Sequence, residues 1–63
     1  PDRVVMEPGL ITVVDYKFGK KKRDYEDQVR DYMKLVGGMY PGTKVEGWLW
    51  YVYSGQTDRV LPE

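Results

Sequence analysis

Asp15 and Lys17 stand two residues apart at the end of the most strand-like run in the chain, Ile-Thr-Val-Val-Asp-Tyr-Lys from Ile11 to Lys17. Side chains alternate between the two faces of a strand, so this acid and this base leave the backbone on one side, about 7 Å apart. A carboxylate and an ammonium fixed together at the end of a buried strand can serve a metal ion and a phosphate. The same triplet is equally an ion pair at a solvated strand end. Asp2 lies thirteen residues before Asp15, at the start of a strand expected to pair with the first, and Gln28 and Tyr32 fall one turn apart on the helix that follows. Gln28 and Tyr32 also fit a simple i, i+4 pair at the boundary of an amphipathic helix.

The chemistry open to these residues is bounded by what the chain lacks. It has no cysteine and no histidine, which excludes disulfides, thiol catalysis, a histidine general base and zinc sites of the usual kind. Its one serine, Ser54, sits in what reads as a turn, so a serine triad is excluded too. Carboxylates, lysine and a hard cation held by oxygen ligands remain. The 63 residues make one domain at most, too small to bury a comfortable core without help.

Ten basic and ten acidic residues cancel, but they are unevenly placed. Lys17, Lys20, Lys21, Lys22 and Arg23 gather five positive charges, and Asp24, Glu26, Asp27 and Asp31 answer them directly downstream. The basic run reads as a solvated loop, or as a contact to a nucleic-acid backbone that salt should weaken. No apolar stretch approaches the ~20 residues that span a bilayer, and nothing has the form of a signal peptide, so a soluble cytoplasmic protein without a membrane role is expected. The chain starts at Pro1 rather than Met, and it reads as a piece of a longer polypeptide.

The elements that must position these residues follow from periodicity and punctuation. Arg3 to Met6 reads as a short strand stopped by Glu7-Pro8-Gly9, and Leu10 to Lys17 follows at hairpin distance. The β-branched residues of Leu10 to Lys17, apolar on both faces, suit a central strand. Arg23 or Asp24 opens a helix with acids in its first turn, larger side chains recur at 25, 29, 32, 33 and 36, and Gly37-Gly38 is expected to end it. Val45 to Tyr53 reads as a second long strand and Arg59 to Leu61 as a short edge strand. The resulting expectation is an α/β (α+β) fold, a hairpin and then a right-handed strand-helix-strand crossover in a small mixed sheet, with one helix on one face. Trp48, Trp50 and Val52 on one side of the last long strand, and Leu49, Tyr51 and Tyr53 on the other, are more apolar surface than one helix covers. A core or interface role for these aromatics is expected, with self-association through the open face; a base-stacking platform is the competing reading.

Taken together, Pro1-Asp2-Arg3, the strand Ile11 to Lys17 with Phe18-Gly19 after it, the helix segment from Tyr25 to Tyr32 and the strand Val45 to Val52 resemble the PD-(D/E)xK nuclease superfamily, most closely the RecB-like nuclease domains of RecB- and AddA-type helicase-nucleases. The resemblance implies a restriction-endonuclease-like half core, residues 1–63 forming the second half of a nuclease domain whose first helix and strand, with a further acidic ligand, lie upstream. It implies that Asp2 and Asp15 hold Mg²⁺ or Mn²⁺ together with the backbone carbonyl of Tyr16, and that Lys17 is the catalytic lysine. Gln28 and Tyr32 match the family's Gln-x-x-x-Tyr signature, DNA is the implied substrate, and the rest of a parent helicase-nuclease the implied partner. Lys20, Lys21, Lys22 and Arg23 are then candidate nucleic-acid contacts. The contrasting expectation is a non-catalytic module, either a degenerate nuclease fold that binds nucleic acid or a small domain that dimerises.

Overall fold

The computed structural model describes residues 1–62. Strands β1 (Arg3–Glu7) and β2 (Leu10–Lys17), helix α1 (Asp24–Met39), and strands β3 (Lys44–Tyr51) and β4 (Gln56–Val60) follow one another along the chain. They form one four-stranded sheet in the order β1-β2-β3-β4, with β1 antiparallel to β2, β2 parallel to β3 and β3 antiparallel to β4. The mixed sheet with a single packed helix matches the fold expected from sequence. Parallel pairing of β2 with β3 needs a crossover, and α1 supplies it.

Helix α1 lies across the face that carries Ile11 and Val13 of β2, Leu49 and Tyr51 of β3, and Val60 of β4, all buried. Val29, Met33 and Val36 of α1 fill that layer from above, and Tyr25 and Tyr32 pack against its edge. These are the positions that helical spacing nominates. Fully burying a Val, Leu or Ile side chain stabilises by roughly 1.5–3 kcal/mol, so the eight residues of this layer carry the fold. The approach is closest at Gly47, where an added Cβ would meet Met33 Sδ and stand 2.7 Å from Val29 Cγ1. Glycine there lets α1 settle onto β3.

Several boundaries differ from the sequence expectation, each for a local reason. Gly37 and Gly38 do not end α1; neither takes a positive φ, and the helix runs through both to Met39. Tyr40 ends it, with φ −127° and ψ 70° and its N–H donating to the Val36 carbonyl. Tyr40 precedes Pro41, and a residue before proline is pushed out of the helical region by the proline ring. β3 begins one residue earlier than expected and stops at Tyr51, leaving Val52 and Tyr53 in the turn. The Gly55 N–H closes that turn onto the Tyr51 carbonyl at 2.9 Å, with Gly55 at φ 73°. Because the turn is completed there, β4 starts at Gln56 rather than Arg59 and gains a full antiparallel register, from Gly47 opposite Val60 to Tyr51 opposite Gln56.

The other face of the sheet is open. Val5, Leu10, Thr12, Val14, Tyr16 and Trp48 are half-buried by their neighbours alone, and Trp50 is exposed. β2 is central, as its composition suggests, yet it is covered on one side. Among the described residues no helix is long and apolar enough to cross a membrane.

Candidate functional site

The ladder between β1 and β2 does not stop at Arg3. The Asp2 N–H donates both to the Val14 carbonyl and to Asp15 Oδ1, each at 3.1 Å, and Asp2 Oδ2 accepts the Tyr16 N–H at 2.8 Å. The Asp2 side chain thus takes the place of the next backbone carbonyl in the ladder, which fixes its carboxylate beside that of Asp15. Register explains why residues thirteen apart in sequence meet: Arg3 pairs with Val14 across the hairpin, so the residue before Arg3 faces the one after Val14.

Backbone alternation places the Tyr16 carbonyl in the same corner. Val14 and Tyr16 direct their hydrogen-bonding groups toward β1, whereas the Lys17 carbonyl accepts from Val52 N–H at 3.0 Å on the β3 side. The carbonyl of Tyr16 therefore points to the β1 edge, toward Asp2.

Lys17 lies on the other flank of Asp15. Its Nζ stands 3.8 Å from Asp15 Oδ2, donates to Gln28 Oε1 at 3.4 Å, and lies 4.5 Å from the centre of the Tyr25 ring. The Asp15 and Lys17 side chains are 13% and 19% exposed, enough for a ligand to reach them and little enough to limit screening. Gln28 is itself held, its Nε2 donating to Asp24 Oδ2 at 3.4 Å. The first turns of α1 thus aim the ammonium by hydrogen bonding and by the electron-rich face of a ring. The chain's amino terminus at Pro1 also stands 3.7 Å from Asp15 Oδ1.

The structure brings together four of the five side chains singled out from sequence, Asp2, Asp15, Lys17 and Gln28. Tyr32 packs against the core layer and makes no hydrogen bond among the described residues. Two contributors escaped the sequence reading, Tyr25 beneath Lys17 and Asp24 behind Gln28. Their spacing carried the signal, because Tyr25 and Asp24 sit three and four residues before Gln28 and so share its helix face.

The basic run divides. Lys21 is engaged within the fold, its Nζ 2.9 Å from Asp58 Oδ2 on β4 and 5.5 Å from the Tyr51 ring centre. Hydrogen bonds from Lys21 and Gln56 hold the Asp58 carboxyl below its ordinary range. Burial raises the Tyr51 phenol above its usual value, and the nearby Asp58 adds to the effect. Lys22 lies 6.0 Å from the Tyr25 ring centre. Lys20 and Arg23 are exposed and form no ion pair among the described residues.

As a cation site the corner offers two carboxylates and one carbonyl. Each carboxylate has one oxygen engaged by a backbone N–H, which leaves Asp2 Oδ1 and Asp15 Oδ2 as the anionic donors. Among the described residues no group of three or more acidic, histidine or cysteine side chains converges as a closed cage. The set suits a hard cation that keeps several waters, of the Mg²⁺ or Mn²⁺ kind, and is too sparse for a tightly caged metal. No family model, curated protein or solved structure matches the chain.

Proposed function

We propose that this chain is the second half of a metal-dependent DNA nuclease core of the PD-(D/E)xK type, part of a helicase-nuclease that acts in the cytoplasm in DNA recombination or repair. One observation carries the reading: the Asp2 and Asp15 carboxylates are locked side by side through backbone N–H bonds, with the Lys17 ammonium 3.8 Å from Asp15 Oδ2. Two acids alone would repel a phosphodiester. A lysine held beside them offsets that repulsion where the phosphate must sit.

In this reading Asp2 Oδ1, Asp15 Oδ2 and the Tyr16 carbonyl hold the cation, which supplies Lewis acidity and a more acidic water when bound. Lys17 offers its protons to a phosphate oxygen and steadies the attacking water. Gln28 and Tyr25 keep the ammonium at that point, and Asp24 keeps Gln28 from turning away. Hydrolysis forms the bond from water oxygen to phosphorus and breaks the bond to the leaving sugar oxygen, which takes up a proton. Preorganisation is the protein's main contribution, since each of these groups is positioned before substrate arrives.

Mn²⁺ titration followed by paramagnetic broadening of backbone amide resonances tests the assignment. Loss of the Asp2, Asp15, Tyr16 and Lys17 signals ahead of all others is expected, and Asp15→Ala should abolish it. Broadening centred on the helix acids Glu26, Asp27 or Asp31, or an Asp15→Ala chain that responds like the wild type, would remove the basis of the nuclease reading and leave a non-catalytic module.

A further inference from the structure

β1 is an edge strand with nothing against its outer side. Helix α1 packs on β2, β3 and β4 but does not reach β1, which leaves Val4 and Met6 on the helix side 38% and 57% exposed. The register turns Arg3, Val5 and Glu7 to the open face, opposite Val14, Thr12 and Leu10. β2 also shows which backbone groups of β1 are free. Its even-numbered residues direct their N–H and C=O groups toward β1, as Val14 and Tyr16 do, so Arg3, Val5 and Glu7 are the residues bonded across the hairpin. Direction alternates along a strand, and the groups of Val4 and Met6 therefore point outward, away from β2.

An edge with unpaired backbone groups is a template for a further strand, and folds commonly block it with a proline, a bulge or an inward charge. β1 carries no proline and no bulge between Arg3 and Glu7. Its sequence, Arg-Val-Val-Met-Glu, instead matches itself when reversed. A second β1 laid antiparallel about Val5 sets Arg3 opposite the partner's Glu7 and Val4 opposite the partner's Met6. Val4 and the partner's Met6 then exchange both ladder bonds, using the groups that point outward. Arg3 and the partner's Glu7 fall at a non-bonded position, where cross-strand Cβ atoms stand about 4.5–5.5 Å apart. Both side chains are exposed, and neither has an ion pair among the described residues. Other arrangements lose this match. Centring the pair on Met6 sets Val4 against the partner's Pro8, which has no N–H to give, and centring it on Val4 leaves both charges without partners. Parallel pairing puts Arg3 beside the partner's Arg3. The opposite edge, β4, would set Asp58 against itself, and Asp58 is already held by Lys21.

We propose that the chain forms a two-fold dimer by antiparallel pairing of β1 with β1 of a second copy, with Val5 on the axis and an ion pair between Arg3 and the partner's Glu7 on either side of it. A contact of this kind uses the same strand on both copies and closes on itself, so it makes a dimer rather than a filament. The axis runs normal to the sheet. One continuous sheet therefore passes through both copies, with both α1 helices on the same side, and α1 is no obstacle because it does not extend over β1. Val4 and Met6 come to lie beside the partner's Met6 and Val4, which covers apolar surface that neither copy hides alone. The inference goes beyond the nuclease reading and does not rest on it.

Sedimentation equilibrium at low salt, with amide hydrogen exchange measured at the same concentrations, tests the dimer without any metal. A five-residue edge is a small contact, so a weak and reversible dimer is expected. The Val4 and Met6 amides should exchange slowly at high protein concentration and freely on dilution. Arg3→Glu and Glu7→Arg, both at exposed positions, should each weaken association by at least about five-fold, because the dimer carries the pair twice, and the two together should restore it to within about three-fold of the wild type. Added salt should weaken the wild type and the double variant alike. A chain that stays monomeric up to its solubility limit overturns the proposal, as does a dimer that both single variants leave unchanged or that the double variant fails to restore. A dimer that Trp50→Ala splits while the Val4 and Met6 amides exchange freely assigns self-association to the open face and overturns the edge pairing. Failure here leaves the Mn²⁺ result at Asp2 and Asp15 standing, and failure of that titration leaves this dimer standing.

Discussion

Replacing Gly47 by alanine tests whether the contact between α1 and β3 is as close as the structure has it. The backbone there takes no positive φ, so alanine brings no strain of its own, and in an open strand it would stabilise by about 0.4–1 kcal/mol through the unfolded chain. Sterics oppose this. The new methyl meets Met33 Sδ, which can swing aside on a flexible side chain, and stands 2.7 Å from Val29 Cγ1, which cannot, because valine in a helix is held to one rotamer. Ordinary contact lies near 3.5–4 Å, so α1 must lift by most of an ångström. Overpacking of this kind costs about 1–3 kcal/mol. The steric cost outweighs the backbone gain, for a net loss of about 1–2 kcal/mol. With an unfolding entropy of about 2.1 cal/mol/K per residue over 63 residues, the melting temperature should fall by roughly 8–15 °C. Thermal and urea denaturation followed by circular dichroism measure both quantities. Adding Val29→Ala removes the obstructing methyl, so the double variant should be less destabilised than the two single losses combined, by at least about 0.5 kcal/mol. A Gly47→Ala chain that melts with the wild type, or strictly additive variants, would refute the reasoning.

On the proposed nuclease reading, Lys17→Ala in the parent enzyme that reading implies should lower DNA cleavage by at least about a hundred-fold while Mn²⁺ still broadens Asp2 and Asp15; retained cleavage shows that another group serves the phosphate. Asp58 has a depressed folded-state pKa, so its contribution is present above its ordinary value of 3.8 and is lost as pH falls through the lower folded value. Asp58→Asn should therefore remove about 0.2–1 kcal/mol at neutral pH and flatten the acid limb of the stability curve, read by urea midpoints between neutral and acidic pH. Tyr51 has a raised one, so its stability is present below 10.0 and declines as pH rises past that value toward the folded one, because the unfolded chain ionises first. Tyr51→Phe should abolish that alkaline decline, and an unchanged slope would place its origin elsewhere.

Much of the fold was legible because its signals are local. The β-branched run of β2, the helical recurrence at Tyr25, Val29, Tyr32, Met33 and Val36, and the Pro8-Gly9 turn each state their element without reference to the rest. The pairing of Asp2 with Asp15 was legible as well, since a hairpin of known turn fixes which residues face each other. Where the reading failed, two local signals competed. Gly37-Gly38 looked like a stop, but glycine permits a helix end without requiring one, while Pro41 restricts Tyr40 and so decides it. The early end of β3 was hidden by Val52 and Tyr53, which suit a strand by type and were overruled by the turn at Gly55.

The sequence by itself determined which chemistry is possible: a chain without histidine or cysteine has carboxylates, lysine and oxygen donors to work with, and the spacing of Asp15 and Lys17 puts an acid and a base on one face. Tertiary structure decided how those groups are held. That the Asp2 carboxylate caps the ladder at the Tyr16 N–H follows from how β1 pairs with β2, and that Tyr25 lies under the Lys17 ammonium, while Lys21 is drawn to Asp58 and Lys20 and Arg23 form no ion pair among the described residues, follows from how α1 and the loop before it settle on the sheet. Side-chain type and strand period are written residue by residue. The contacts between α1 and β2, and between the loop after β2 and β4, depend on a docking distance that Gly47 sets from the far side of the core.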